Sequence, residues 1–220
     1  MAKDTSNAPE EFGDMGEAPE NKEREFLKPG FHKLTVTEFE YKQEEEGKTP
    51  LITMKCLKAN PDGDPILFEE KLYISGKLNK QNVMSAVVRL QELYKGLTGN
   101  PKMTLKPSQY TYKKKDTDNS ETSFTIPNPK ELAEYLSKTC VGKVAIFKVG
   151  GEETAEGIIY TKLTYSGFLY YTDKKGNLIR YTEERDFTDA EFKFAVQKRK
   201  EAAAPAHSNG VANTTKFQEL

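Results

Sequence analysis

From Phe26 onward, apolar and polar positions alternate in short blocks, and the period of the alternation switches several times along the chain. Lys28-Pro29-Gly30 is a turn signal. In the stretch FHKLTVTEFEY that follows, Leu34 and Val36 alternate with Lys33, Thr35 and Thr37, which predicts a half-buried strand. Glu44-Glu45-Glu46-Gly47-Lys48 closes a hairpin onto a second strand, LITMKCL, with Ile52, Met54 and Cys56 on one face. The turn Asn60 to Pro65 leads to a third strand, Ile66 to Ile74. After Ser75-Gly76 the spacing becomes three and four. Val83, Val87, Leu90, Tyr94 and Leu97 then mark one face of a helix that starts near Asn79 and ends by Gly96 or Gly99.

A basic hairpin comes next. Tyr110 and Tyr112 run into Lys113-Lys114-Lys115, and a polar loop from Asp116 to Thr122 returns the chain through Phe124 and Ile126. Asn128-Pro129 starts a second helix, with Glu131 placed to reach back to the cap and Leu132, Tyr135 and Leu136 on its apolar face. Gly142 to Arg185 is strand-rich, with Gly150-Gly151 read as a hairpin tip. Thr188 and Glu191 have capping-box spacing, which predicts a short helix through Phe192, Ala195 and Val196. The order predicts a mainly β chain with helices (α+β): an OB-like five-stranded barrel decorated by two to three helices, over residues 26–200.

Composition adds the ends. Residues 1–25 carry eight acids against three bases, a net charge of −5, which leaves the rest of the chain at +4 given the overall −1. Few large apolar residues occur in that arm or in residues 201–220, so both are expected to be disordered. Hydrophobic residues make up 36% of the 220, with no apolar run that could span a bilayer and no signal-peptide core, which points to no membrane and a cytoplasmic location. Cys56, Cys140, His32 and His207 cannot compose a usual zinc site, and both cysteines read as core. Phosphate-loop, dinucleotide, nucleophile-elbow and HExxH motifs are all missing. Glu69-Glu70 alternate faces and would not meet at one metal. The expectation is a binding protein, not an enzyme, with no cofactor and no metal.

The candidate chemistry is aromatic and basic. Within Gly142–Arg185, Phe147, Tyr160, Phe168 and Tyr170 are interleaved with Lys148, Lys162, Lys174, Lys175 and Arg180, a mixture suited to stacking bases while neutralising phosphates. The hairpin residues Tyr110, Tyr112, Lys113, Lys114 and Lys115 form the candidate flanking clamp. Aromatics are also strand formers and core fillers, so some of these rings belong to the core. Alternation favours Tyr160 and Lys162 as groove residues ahead of Ile159, Leu163 and Tyr165.

The succession PGFHKLTVTEFEY, LITMKCLKA and ILFEEKLYISGK leading into a striped helix, then PNPKELAEYLSKTCVGK followed by sheet, resembles phage-encoded single-stranded DNA-binding proteins over roughly residues 26–185. The resemblance implies a helix-interrupted OB fold and single-stranded DNA along the face containing Tyr160 and Lys162, in the service of phage DNA replication, recombination or repair. Such proteins commonly end in an acidic tail with a terminal aromatic that recruits replication partners. Here the acidic arm is N-terminal, where it is placed to compete with DNA, and Phe217 and Leu220 are left as the docking tip. The reading set against it is a phage structural or protein-interaction module that binds no nucleic acid.

Overall fold

Strand β1 (Gly30–Lys42) sets the architecture because it changes its main partner along its length. In the computed structural model, which describes residues 26–43, 48–76, 85–115, 120–165 and 167–199, its first half pairs antiparallel with β6 (Val144–Glu153), from Gly30 opposite Val149 to Thr35 opposite Val144. Its second half pairs with β2 (Leu51–Lys58), ending with Lys42 opposite Leu51. A bulge between Val36 and Glu38 interrupts the β1–β2 ladder just past Thr35, where the β6 pairing ends, and the extra residue supplies the bend that wraps one strand around a barrel. The acidic arm, the C-terminal tail, Glu44–Gly47, the helix start near Asn79 and the tip of the basic loop lie outside the described residues.

β2 pairs along its whole length with β3 (Ile66–Tyr73), and β6 pairs with β7 (Ile159–Leu163), giving the order β3-β2-β1-β6-β7. Every step is antiparallel, so β3 and β7 point the same way. A side chain joins them: the backbone N–H of Leu163 donates to Oε2 of Glu70 at 2.8 Å. The result is a nearly closed, OB-like barrel in an α+β chain.

The barrel interior follows the alternation. Leu34, Val36, Ile52, Met54 and Cys56 are buried as predicted, joined by Phe68 and Leu72 from β3. The sequence left two faces open on β6, and the structure turns Phe147 and Val149 inward and Lys148 outward. Gly150-Gly151 is no hairpin tip but lies inside β6, where a Cβ on Gly150 would collide with the Ala195 carbonyl oxygen.

Between β3 and β6 the chain inserts α1 (Ser85–Thr98), the hairpin β4 (Gln109–Lys115) to β5 (Glu121–Pro127), and α2 (Pro129–Cys140). α1 buries Ala86, Leu90, Leu93, Tyr94 and Leu97, and its predicted residue Val87 is half-buried. Asn128 caps α2 by accepting from the N–H groups of Lys130 (3.1 Å) and Glu131 (3.3 Å), while Leu132, Ala133 and Leu136 close one end of the barrel. Glu131 reaches away from the cap backbone and accepts from the N–H of Ser108 at 2.7 Å, tying α2 to the start of β4.

After β7 come β8 (Tyr170–Thr172), β9 (Leu178–Arg180), β10 (Arg185–Asp186), α3 (Asp189–Ala195) and β11 (Val196–Lys198). Val196 is not the end of a helix but the start of a strand parallel to β6. Thr188 and Glu191 form the predicted capping box, and Arg185 holds Glu191 with two bonds of 2.6 and 2.7 Å. That guanidinium, helped by the Thr188 N–H, pulls the Glu191 carboxyl from its ordinary 4.5 down to about 2. A lowered folded-state value contributes stability that is present above pH 4.5 and is lost as pH falls toward about 2. A carbon-detected NMR titration of Glu191 is expected to show a midpoint near 2. In Arg185→Ala the midpoint returns toward the ordinary carboxylate range; a midpoint unmoved by that substitution would contradict the account.

Candidate nucleic-acid interface

The β8–β9 hairpin is held by its own turn chemistry. Oδ1 of Asp173 accepts from the N–H groups of Lys175 (2.9 Å) and Asn177 (2.8 Å), Oδ2 accepts from Nδ2 of Asn177 (3.0 Å), and Gly176 takes φ 84°. These bonds, the Asn177 side chain first, hold the Asp173 carboxyl below its ordinary value. Asp173 is therefore occupied by backbone and amide donors, and the exposed Lys174 and Lys175 form no ion pair with it. Arg180 sits opposite Tyr170 across the ribbon and reaches the C-terminal end of α1, where a Cβ on Gly99 would lie 3.1 Å from its Nη2. None of these three cations makes an ion pair among the described residues. Tyr170 is half-buried beneath Lys95, whose Nζ is 5.3 Å from the ring centroid, and Tyr171 is 50% exposed.

A second group lies on β7. Tyr160 is 59% exposed on the outer face, beside Lys162, which is ion-paired to Glu152. Leu163 is buried, in keeping with the predicted inward set, whereas Tyr165 is 81% exposed, against expectation, because the strand has ended before it. Lys148 faces outward but packs its Nζ against Phe31 (5.9 Å) and Phe187 (6.0 Å). Arg185 covers the same Phe31 ring at 4.2 Å, and Tyr181 meets it edge-on at 4.8 Å.

The β4–β5 hairpin contributes less than its composition promised. The Tyr110 hydroxyl donates to Oε1 of Gln43 at 2.7 Å, which anchors the hairpin to the barrel. Lys113 is exposed and 3.7 Å from Glu121, Lys114 is half-buried, and Lys115 is described only as a strand position. Three predicted stacking rings are corrections. Tyr112, Phe147 and Phe168 are buried: Tyr112 stacks on Phe124 (5.5 Å), Phe147 fills the barrel and Phe168 lies under Arg89 (5.7 Å). None of the three is exposed as a stacking platform.

Sequence reasoning missed the outer face of β3, which carries Leu67, Glu69, Lys71 and Tyr73, the last 54% exposed. The signal was available in ILFEEKLY, where inward Phe68 and Leu72 fix the other positions as outward. Oligonucleotide barrels commonly bind across their second and third strands. Much of this sheet is self-neutralised, since Lys55 lies between Glu38 (2.8 Å) and Glu40 (3.2 Å), and Lys42 also pairs with Glu40 (3.1 Å).

Burial pushes the Cys56 thiol up to about 12 and also raises Cys140, so neither is poised as a thiolate nucleophile. Among the described residues no cluster of His, Cys, Asp and Glu could hold a metal ion, and no helix is long and apolar enough to cross a membrane. Compared with known proteins, the chain matches no family model and no curated protein.

Proposed function

We propose that this protein binds single-stranded DNA by aromatic stacking and phosphate neutralisation, without turnover, in the replication, recombination or repair of phage DNA. The observation that carries the reading is the β8–β9 hairpin, which sets Lys174, Lys175 and Arg180, all exposed and unpaired among the described residues, beside the rings of Tyr170 and Tyr171 on an OB-like barrel. Tyr160, Tyr165 and Tyr73 are further exposed rings available to a strand that crosses the barrel. The setting proposed, host cytoplasm with replication partners recruited through Phe217 and Leu220, rests on the resemblance alone.

The test is a fluorescence titration with labelled oligo-dT and a duplex of equal length at two salt concentrations. Single-stranded DNA is expected to bind more tightly than duplex, with affinity falling steeply as salt rises, by about 0.7 in the logarithmic slope per phosphate contacted. No binding at low salt would remove this reading and leave the protein-interaction module.

A further inference from the structure

One side of α1 carries Arg89, Glu92 and Lys95 at three-residue spacing, facing the segment that leads into β8. Its two cations are engaged by rings: Arg89 lies 5.7 Å over Phe168 and Lys95 lies 5.3 Å over Tyr170. Between these two clamps a cavity of about 250 Å³ opens, lined by Glu92, Phe168, Tyr170, Tyr171 and Thr172. Glu92 is half-buried at its wall, and its carboxylate has no hydrogen-bond partner among the described residues. Burial raises its pKa, with the charges of Arg89 and Lys95 opposing the rise.

Two features identify what fits. The cavity is smaller than the roughly 300–1,000 Å³ of drug-sized sites, so it suits one planar ring system. Among the described residues Glu92 is the one charged residue of its lining, beside Thr172 and the two tyrosines, and the charges of Lys95 and of Arg89, itself paired with Glu70, act on it from the same helix. A cationic ligand would satisfy Glu92 but meet the charges of Lys95 and Arg89. A molecule with a flat neutral ring, an N–H donor on its edge and a negative charge a few ångströms away satisfies both.

We infer that this cavity receives the base of one nucleotide of the bound strand, that the base is one bearing an exocyclic amino group, and that Glu92 accepts the hydrogen bond from that amine. The inference rests on the single-strand reading and adds a base preference to it. Cytosine offers N4–H₂ to a carboxylate, while thymine turns its O4 acceptor toward the same oxygen and is repelled. Tyr171 supplies the stacking face.

The test measures binding of the full chain to labelled oligo-dC and oligo-dT of equal length, at one salt concentration and pH 8, for the natural protein and for Glu92→Gln. The natural protein is expected to prefer dC by about tenfold, the size of one good base-edge contact. In Glu92→Gln that ratio falls to near one, because an amide donates as readily as it accepts, while dT affinity is unchanged or higher. Tight dT binding with no dC preference, or a preference that survives Glu92→Gln, would overturn the assignment and leave the single-strand reading standing. A purely structural role for Glu92 falls in that second outcome, since it would move both affinities alike. Failure of both oligonucleotides at low salt would overturn the two readings together. A final arm titrates dCMP alone: its capture by a protein that shows no dC preference in strands would assign the cavity to a free nucleotide and overturn its role in the strand.

Discussion

Arg89→Ala lowers the free energy of unfolding by about 3–5 kcal/mol, the cost of stranding a buried carboxylate. Glu70 is buried on the inward face of β3, with Oε1 3.0 Å from Nη2 of Arg89 and Oε2 accepting the Leu163 N–H. Burial raises the pKa of Glu70, and the Arg89 charge is the largest influence opposing that rise. Removing the guanidinium leaves the carboxylate only one backbone donor and Lys162 at longer range. The sign of the pH effect follows. A carboxyl whose folded value lies above its unfolded one is more protonated in the folded state, so its contribution to stability is greatest at acid pH and is lost as pH rises through the folded value. Arg89→Ala moves that value further up, and the deficit of the variant therefore shrinks as pH is lowered. Urea denaturation at neutral and acid pH measures both statements. The double variant Glu70→Leu/Arg89→Met is expected to match the natural protein or exceed it, because an apolar pair of similar volume removes the desolvation cost. A single variant within 1 kcal/mol of the natural protein would mean that water already reaches the pair.

The triple variant Lys174→Ala/Lys175→Ala/Arg180→Ala reduces the salt slope of single-strand binding by about 2 and the affinity at 0.1 M salt by roughly 100-fold, from about 0.7 counterions released per phosphate contact. Stability is expected to hold, since all three side chains are exposed and none makes an ion pair among the described residues. An unchanged thermal midpoint therefore accompanies the loss. Lys55→Ala is the contrast. Its ammonium is already matched by Glu38 and Glu40, so the salt slope should not change. Equal losses from both variants would show that overall charge, not the hairpin, governs binding.

These two cases mark where the sequence is informative. The inward sets of β1 and β2 and both helix caps were legible because each depends on a local rule: period two for Leu34, Val36, Ile52, Met54 and Cys56, and side-chain oxygens three residues from a free N–H for Asn128 and Thr188. On β6 the rule was silent, since Val144 and Ile146 on one face are as apolar as Ala145 and Phe147 on the other. Tyr112 and Tyr160 look alike in sequence, each on a strand that also carries lysine. One is buried because Phe124 stacks on it and the other is exposed because no described residue covers it. Lys55 and Lys174 are likewise indistinguishable until β1 places two glutamates, Glu38 and Glu40, beside the first. Alternation sends Glu69 and Glu70 to opposite faces without saying which is buried, and only the arrival of Arg89 from a distant helix makes the burial of Glu70 tolerable.

The divided pairing of β1 governs the order in which the molecule assembles. Its β2 partner lies one turn away, so the β1–β2–β3 meander is a local contact and forms early. Its β6 partner must wait for the 70 residues between Tyr73 and Val144 to be gathered in, which raises contact order and makes barrel closure the slow step. The equilibrium cost of that insertion is small, because loop entropy grows only logarithmically, at about 0.6 kcal/mol per doubling of length. Lengthening the β4–β5 hairpin would thus delay folding far more than it would weaken the finished barrel.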